Sequence, residues 1–298
     1  MKKKSISKRI TYYIEYICLK LIGAVFSVLP LNMVYFIVKM LGLFTFHVFG
    51  MRRKVTIENL TNSFGDEYSE KQIRTIAADS YVNIGITFLE MLIVQRFEAR
   101  MLERVNMADS HILRRNIDKG RGVIVVSCHF GSWEIVGAAL SAADMPMTVV
   151  VKKLSNPYVD RMIYDRRTGF GNKIINHGAS VKHIVAALKN KEIVGLISDQ
   201  DAGGEGVFVD FFGRKASTPR GAAQLALKFN VPIVVVMTLR TGNGRYKGVF
   251  KEIDVDGNDT VETVTRKYTA YIEDVIREHP EQYFWMHRRW KTEPPGVK

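Results

Sequence analysis

The chain has 298 residues, with 43 Lys and Arg against 30 Asp and Glu, a formal charge of +13, and 47% hydrophobic residues. That length suits one large domain or two small ones, and the apolar fraction excludes wholesale disorder and a collagen-like chain. Two cysteines, Cys18 and Cys128, exclude a disulfide scaffold and any multi-cysteine zinc cluster, and fit a reducing compartment.

The positive excess favours a polyanionic partner: nucleic acid, an anionic lipid surface or an acidic carrier protein. It is clustered. Lys2, Lys3, Lys4, Lys8 and Arg9 precede the first acid, Glu15; Arg52, Arg53 and Lys54 follow, then Arg288, Arg289 and Lys291. Any one cluster reads equally well as a solvated basic surface. Between the first two, residues 21–38 carry only Ser27 and Asn32 as polar interruptions, and Lys20 and Lys39 bracket them. A bilayer span needs about 20 apolar residues, so the stretch is borderline. Pro30 breaks it, predicting two helices over about 14–29 and 31–48. No small-residue cleavage site follows, which argues against a signal peptide. Both flanks are basic, whereas a single span concentrates its basic excess on one side. The pattern therefore predicts a helical pair in the cytoplasmic leaflet, its basic rims on anionic headgroups. The alternative is a hydrophobic hairpin packed on the domain core.

Beyond residue 51, Ser69 and Gln72 form a capping-box start for a helix to about Val94. A short, continuous apolar run predicts a buried strand over 123–128, and further strands are read over 147–153, 173–176 and 193–198. Helices are predicted between them over about 132–143, 157–169 and 180–190, the second opened by Asn156-Pro157. Thr218-Pro219 is read as the cap of a helix through Phe229, residues 231–239 and 246–255 as a hairpin across Gly242 and Gly244, and Asp259 with Glu262 as the cap of a last helix to about Glu278. Strands alternating with helices predict an α/β fold, a mostly parallel central sheet flanked by helices. Ligands of such sheets sit beyond the carboxyl ends of the strands.

Two strand ends carry ionisable groups. The first run leads into His129-Phe130-Gly131-Ser132-Trp133-Glu134, the last into Asp199-Gln200-Asp201. A lone His after a strand is usually structural. Glu134 changes the weighing, because a chain that turns at Gly131 from strand into helix can bring its carboxylate to the imidazole. The carboxylate then fixes the tautomer and leaves the other ring nitrogen as a base. Amides at the helix start are candidate oxyanion donors. Asp199 is read either as a second carboxylate for His129 or as a structural helper. Cys128 points to the opposite face of the strand from its neighbour and reads as an apolar filler. Ser132 lacks a nucleophile elbow. The histidines show no H-E-x-x-H spacing, so no metal site is expected, and Gly203-Gly204-Glu205-Gly206 fails the dinucleotide fingerprint.

His129 and Glu134 form H-x-x-x-x-E, which resembles the H-x-x-x-x-[DE] signature of glycerolipid acyltransferases. Three further blocks follow: 161–171 with Arg161, Arg166 and Arg167; 199–221 with Asp199 and Arg220; and 282–291 with Tyr283, Trp285 and Trp290. Together, in this order and over essentially the whole chain, they resemble the bacterial lipid A biosynthesis (lauroyl/myristoyl) acyltransferase family, which includes phosphatidylinositol mannoside acyltransferases. Ser132 stands where many members have Asn.

The resemblance implies an N-terminal membrane-associating helical segment, 1–50, and a catalytic domain, 51–298, on the cytoplasmic face of a bacterial inner membrane. It implies His129 as general base with Glu134 as its orienting partner, and direct transfer of a fatty acyl group from acyl-carrier protein, or acyl-CoA, to a hydroxyl of a glycolipid such as a lipid A precursor. The thioester is a co-substrate; no cofactor is implied. Arg161, Arg166, Arg167 and Arg220 are candidates to bind the acidic carrier or the acceptor's phosphates. Each reads alternatively as a surface or helix ion pair, such as Arg161 with Asp165 four residues on. Trp285 and Trp290 suit either a membrane rim or the core. A nucleic-acid-binding module is the competing class, but no reading motif is present and the apolar N-terminus would go unexplained. A lipase or thioesterase would use the same base on water.

Overall fold

A computed structural model describes residues 6–176, 178 and 181–296. Lys2, Lys3, Lys4 and Ser180 lie outside the described residues.

The chain opens with α1 (Ile6–Val28) and α2 (Leu31–Phe44), the latter running on into a π-turn, Thr45–Phe49. Pro30 divides them as expected, because a proline N–H cannot enter the helical ladder. Then α3 (Arg53–Phe64) and the long α4 (Glu70–Ile93) follow. Ser69 and Gln72 form the predicted capping box. A 3-10 stretch, a short α5 (Met101–Arg104) and β1 (Val105–Asn106) lead to α6 (His111–Asp118).

The alternating part comprises β2 (Val123–Ser127), α7 (Trp133–Ala142), β3 (Met147–Val151), α8 (Pro157–Gly169), β4 (Lys173–Asn176), α9 (Val181–Lys189) and β5 (Ile193–Ile197). A separate hairpin, β6 (Val207–Phe211) and β7 (Arg214–Thr218), precedes α10 (Gly221–Phe229). Then come β8 (Ile233–Gly242), β9 (Arg245–Ile253) and α11 (Val261–Glu278). Two predicted caps move. Thr218 closes β7, and Arg220 takes the N-cap position of α10. Thr260, bonded to Thr263, caps α11, while Asp259 accepts from Thr263 and Lys267.

The sheet order is β1-β9-β8-β2-β5-β3-β4. Strands β8, β2, β5, β3 and β4 are mutually parallel; β9 is antiparallel to β8, and β1 parallel to β9. Strand β2 is central and buried along its length, with side chains alternating between two cores. Ile124 and Val126 pack in the core that contains residues of α10 and α11, whereas Val123 and Val125 pack with residues of α6 and α7. From β2 the chain winds to β3 on one side and later to β8 on the other. The switch point thus falls at the carboxyl ends of β2 and β5, where ligands of open α/β sheets bind.

The N-terminal helices reach this sheet through a buried polar knot. Glu90 on α4, whose side chain is fully buried, receives Arg240 of β8 at 2.7 Å and the hydroxyls of Tyr35 on α2 and Tyr246 on β9, each at 2.7 Å. Asn83 and Thr87 of α4 also bond Arg240. Removing one member of a buried ion pair leaves the other charge unpaired in a poor solvent, at a cost of about 3–5 kcal/mol. Arg240→Met is accordingly expected to lower the unfolding free energy by that amount in a denaturant titration, and a loss below 1 kcal/mol, roughly the worth of a surface pair, would mean that the knot is solvated.

Outside this contact, α1 and α2 present large apolar side chains outward, among them Ile14, Leu21, Val25, Phe36, Leu41 and Phe44. Ile6–Val28, Leu31–Phe49 and Glu70–Arg104 are each long and apolar enough to cross a membrane, with 6%, 28% and 67% of their most apolar windows buried in the protein. The third therefore belongs to the core, whereas in the first only Gly23 is buried and most residues are exposed.

Candidate active site

His129 and Asp199 leave adjacent parallel strands at the same level: Ser127 pairs with Ile197 in the register, and the Ser198 amide donates to the Ser127 carbonyl. Two residues further on each strand, the Asp199 carboxylate meets the imidazole. His129 Nδ1 lies 2.8 Å from Asp199 Oδ1, and the His129 backbone N–H donates to Asp199 Oδ2 at 3.0 Å. The carboxylate thus holds both the ring and its backbone, a geometry that places the proton on Nδ1 and leaves Nε2 free as an acceptor.

Glu134 sits elsewhere than the sequence led us to expect. It lies in the first turn of α7, and its two oxygens receive Nε and Nη2 of Arg167, on α8, at 3.0 and 2.6 Å. The imidazole's hydrogen-bond partner is Asp199, and Glu134 acts on the ring through its charge. The expectation failed because register across the sheet brings residues 70 apart to one point, whereas the turn at Gly131 swings α7 aside.

That turn is tightly specified. Gly131 has φ +53°, and a Cβ there would stand 1.8 Å from the Thr238 carbonyl oxygen. Its amide donates to Gln282 O at 2.9 Å, the Ser132 amide to Thr238 O at 3.3 Å, and Phe130 bridges to Tyr283. These amides are therefore committed within the fold, which leaves those of the first turn of α7 as the candidate oxyanion donors. Ser132 is fully buried. The block 282–291 clamps the loop from the other side: the Phe284 amide donates to His129 O at 3.0 Å.

The imidazole lies between aromatic rings, Trp133 at 5.1 Å and Phe284 at 5.8 Å between centroids. Burial disfavours its charged form, but the Asp199 charge and hydrogen bond outweigh this, with a smaller contribution from Glu134, and raise its pKa above the ordinary 6.5. Asp199, 5% exposed, is held below the usual carboxylate range despite burial, by His129 and by the nearby Arg289. Arg289 is itself 2% exposed and donates to Ser217 O and Thr218 Oγ1. The sequence places it in a basic cluster with Arg288 and Lys291, and the packing that buries it gives no local sequence signal. Burial lowers His287, whose Nε2 accepts the Asp201 amide, so this second histidine is a neutral structural acceptor. Trp285 is buried and Trp290 stacks on Phe211, so both serve the core rather than a membrane rim.

Cys128 is buried among apolar neighbours on the face opposite α7, and burial raises its thiol pKa well above 9.0. A thiol held protonated is no nucleophile. Cys128→Ala is expected to keep at least half of the activity that wild type shows in a single-turnover assay, and loss to background would reinstate the thiol as a participant.

The remaining arginines diverge. Arg161 pairs with Asp165 at 2.8 Å and Arg220 with Glu205 at 3.3 Å, both largely exposed. Arg166 turns towards α1. Of the four, only Arg167 is joined to the carboxylates predicted for the site. Among the described residues no group of three or more His, Cys, Asp or Glu could hold a metal ion.

An apolar groove of about 480 Å³ opens between α1, α2 and α4, and Phe284 separates it from the imidazole. Ile22 and Phe26 of α1, Val38 and Leu41 of α2 and Phe88 of α4 line it, and Phe284, the ring beside His129, stands on its wall.

Comparison with known proteins agrees with this architecture. The chain is 29% identical to the lipid A biosynthesis lauroyltransferase of Escherichia coli over 277 residues, which cover 90% of this chain and 89% of that protein. It is 27% identical over 249 residues to the palmitoleoyltransferase of the same pathway and organism, covering 82% and 80%. A phosphatidylinositol mannoside acyltransferase of Mycolicibacterium smegmatis is 24% identical over 195 residues, 64% of each chain. Residues 1–292 match the bacterial lipid A biosynthesis acyltransferases as a family, so the chain belongs to that family and is an acyltransferase.

Proposed function

We propose that the protein works at a membrane surface and transfers a fatty acyl group from the thioester of an acyl-carrier protein or coenzyme A to a hydroxyl of a glycolipid, with a lipid A precursor as the acceptor. The observation that supports it most is the His129–Asp199 pair at the switch point, joined by Phe284 to an apolar groove. An imidazole with a free Nε2, separated by the Phe284 ring from an apolar groove, suits a base acting on a lipid-borne hydroxyl.

Nε2 takes the hydroxyl proton as the oxygen attacks the thioester carbonyl. The tetrahedral intermediate collapses, the C–S bond breaks, and the imidazolium returns the proton to the departing thiolate. No acyl-enzyme forms. Asp199 orients the ring and stabilises its charged form. Arg167, held by Glu134 through two of its five N–H groups, presents its remaining donors to the oxyanion or to an acceptor phosphate. Amides of Trp133 and Glu134, in the first turn of α7, are further donors of the kind that helix starts supply. The exposed apolar faces of α1 and α2 sit in the bilayer, with Lys8, Arg9, Lys20 and Lys39 among anionic headgroups.

A labelled acyl-carrier thioester, mixed with the purified protein and a lipid A precursor in detergent, is expected to yield an acceptor heavier by one acyl group, by mass spectrometry. Thioester cleavage that ignores the acceptor would make the protein a thioesterase. Because the base works only when neutral and its pKa is raised, kcat/KM is expected to fall with decreasing pH along a limb above 6.5. A limb below that value would mean that Asp199 does not pair with the ring during turnover.

A further inference from the structure

Arg166 is one residue from Arg167 but faces the other way. It borders a crevice of about 460 Å³ between α1, the 3-10 turn after α4, and α8, with Tyr16, Gln95, Tyr158, Arg161 and Asp165 around it. Its Nε and Nη1 are buried and have no hydrogen-bond partner among the described residues. Its Nη2 lies 3.7 Å from where a Cβ on Gly23, the buried residue of α1, would stand. Neighbouring acids are engaged elsewhere: Asp165 with Arg161 at 2.8 Å, and Glu15 with the Asn156 amide at 2.8 Å. Lys20 adds further positive charge, its ammonium 5.8 Å from the Tyr16 ring centre.

Two guanidinium nitrogens buried without an acceptor are costly, and burial depresses the Arg166 pKa. An anion arriving in the crevice would remove that cost. The fork of a guanidinium matches a phosphate, and two tyrosine rings flank it beside a helix most of whose large apolar side chains are exposed. We propose that the crevice between α1 and α8 binds the phosphoryl group of a membrane lipid, with Arg166 as the anion-binding residue. This rests on the membrane-associated part of the reading above and not on acyl transfer. The site would seat α1 at headgroup depth and so fix the height of the acyl groove against the bilayer.

The full chain in neutral detergent is heated with dioctanoyl phosphatidic acid, with dioctanoylglycerol, or with inorganic phosphate. Phosphatidic acid is expected to raise the unfolding midpoint by several degrees more than the phosphate-free lipid. Arg166→Met abolishes that difference and, without lipid, unfolds no earlier than wild type, since only an uncompensated charge has gone. His129→Ala keeps the difference, which separates this site from the catalytic one. Equal shifts from both lipids in wild type, or a phosphate-dependent shift that survives in Arg166→Met, would overturn the proposal. An equal shift from inorganic phosphate at the same concentration would overturn the lipid as its source.

Discussion

Replacing His129 by Ala is expected to lower acyl transfer by roughly 10²–10⁴-fold, the range that a positioned general base contributes. A lipid hydroxyl is a poor nucleophile until its proton leaves, and within the site the free Nε2 is the acceptor, one aromatic ring (Phe284) from the groove. The side chain is 22% exposed, and its loss removes one hydrogen bond to Asp199 while the backbone N–H still donates to the same carboxylate. Folding should therefore survive, and an unchanged unfolding midpoint beside the lost turnover separates chemistry from stability. If the variant kept more than a tenth of wild-type kcat with the same KM, the base would have to be another group. Binding of the acyl donor should hardly change, since the groove walls are supplied by α1, α2, α4 and Phe284. The loss belongs in kcat.

The strands that carry this site are readable because β2 is buried on both faces and β5 over its first three residues. Residues 123–127 and 193–197 form nearly continuous apolar runs, and each ends one or two residues before an ionisable side chain. The helix starts at Ser69 and Asn156 were readable because capping is local. What stayed hidden depends on strand order and packing. That β5 lies next to β2, with β3 one place further out, is a property of the whole sheet, and it alone puts Asp199 against His129. Arg289 looked like its neighbour Arg288 on a basic surface, yet it is buried beside Asp199, and no spacing distinguishes the two. The hairpin of β6 and β7 shows in the sequence only as a motif block, since its turn rests on Gly213 and a left-handed Phe212, a conformation unusual for a bulky residue. Residues 53–64 have weak amphipathic patterning, so α3 was missed, although Asn59 there ties down the Trp285 and His287 carbonyls.

Two carboxylates compete for the role beside the imidazole, and their variants should differ in kind. Asp199→Asn removes the charge that fixes the Nδ1 proton and stabilises the imidazolium, while an amide can present its NH₂ to the ring and favour the wrong tautomer. The expected loss in kcat is on the order of 10²–10⁴-fold. The ring pKa, raised mainly by Asp199, should drop, so the acid limb of the rate profile moves to lower pH. Glu134→Gln breaks the two-pronged contact with Arg167 and frees that guanidinium to swing. It should cost activity too, through a misplaced cation, but the acid limb should move much less, since Glu134 adds only the smallest of the charge effects on the ring. A double variant, Glu134→Gln with Arg167→Met, should be no worse than either single change if the pair acts as one unit. The decisive measurement is the position of the acid limb across these variants. Should Glu134→Gln shift it as far as Asp199→Asn does, the ring would be governed by the carboxylate on α7 in the working enzyme, and Arg167 would have to release Glu134 when substrate binds.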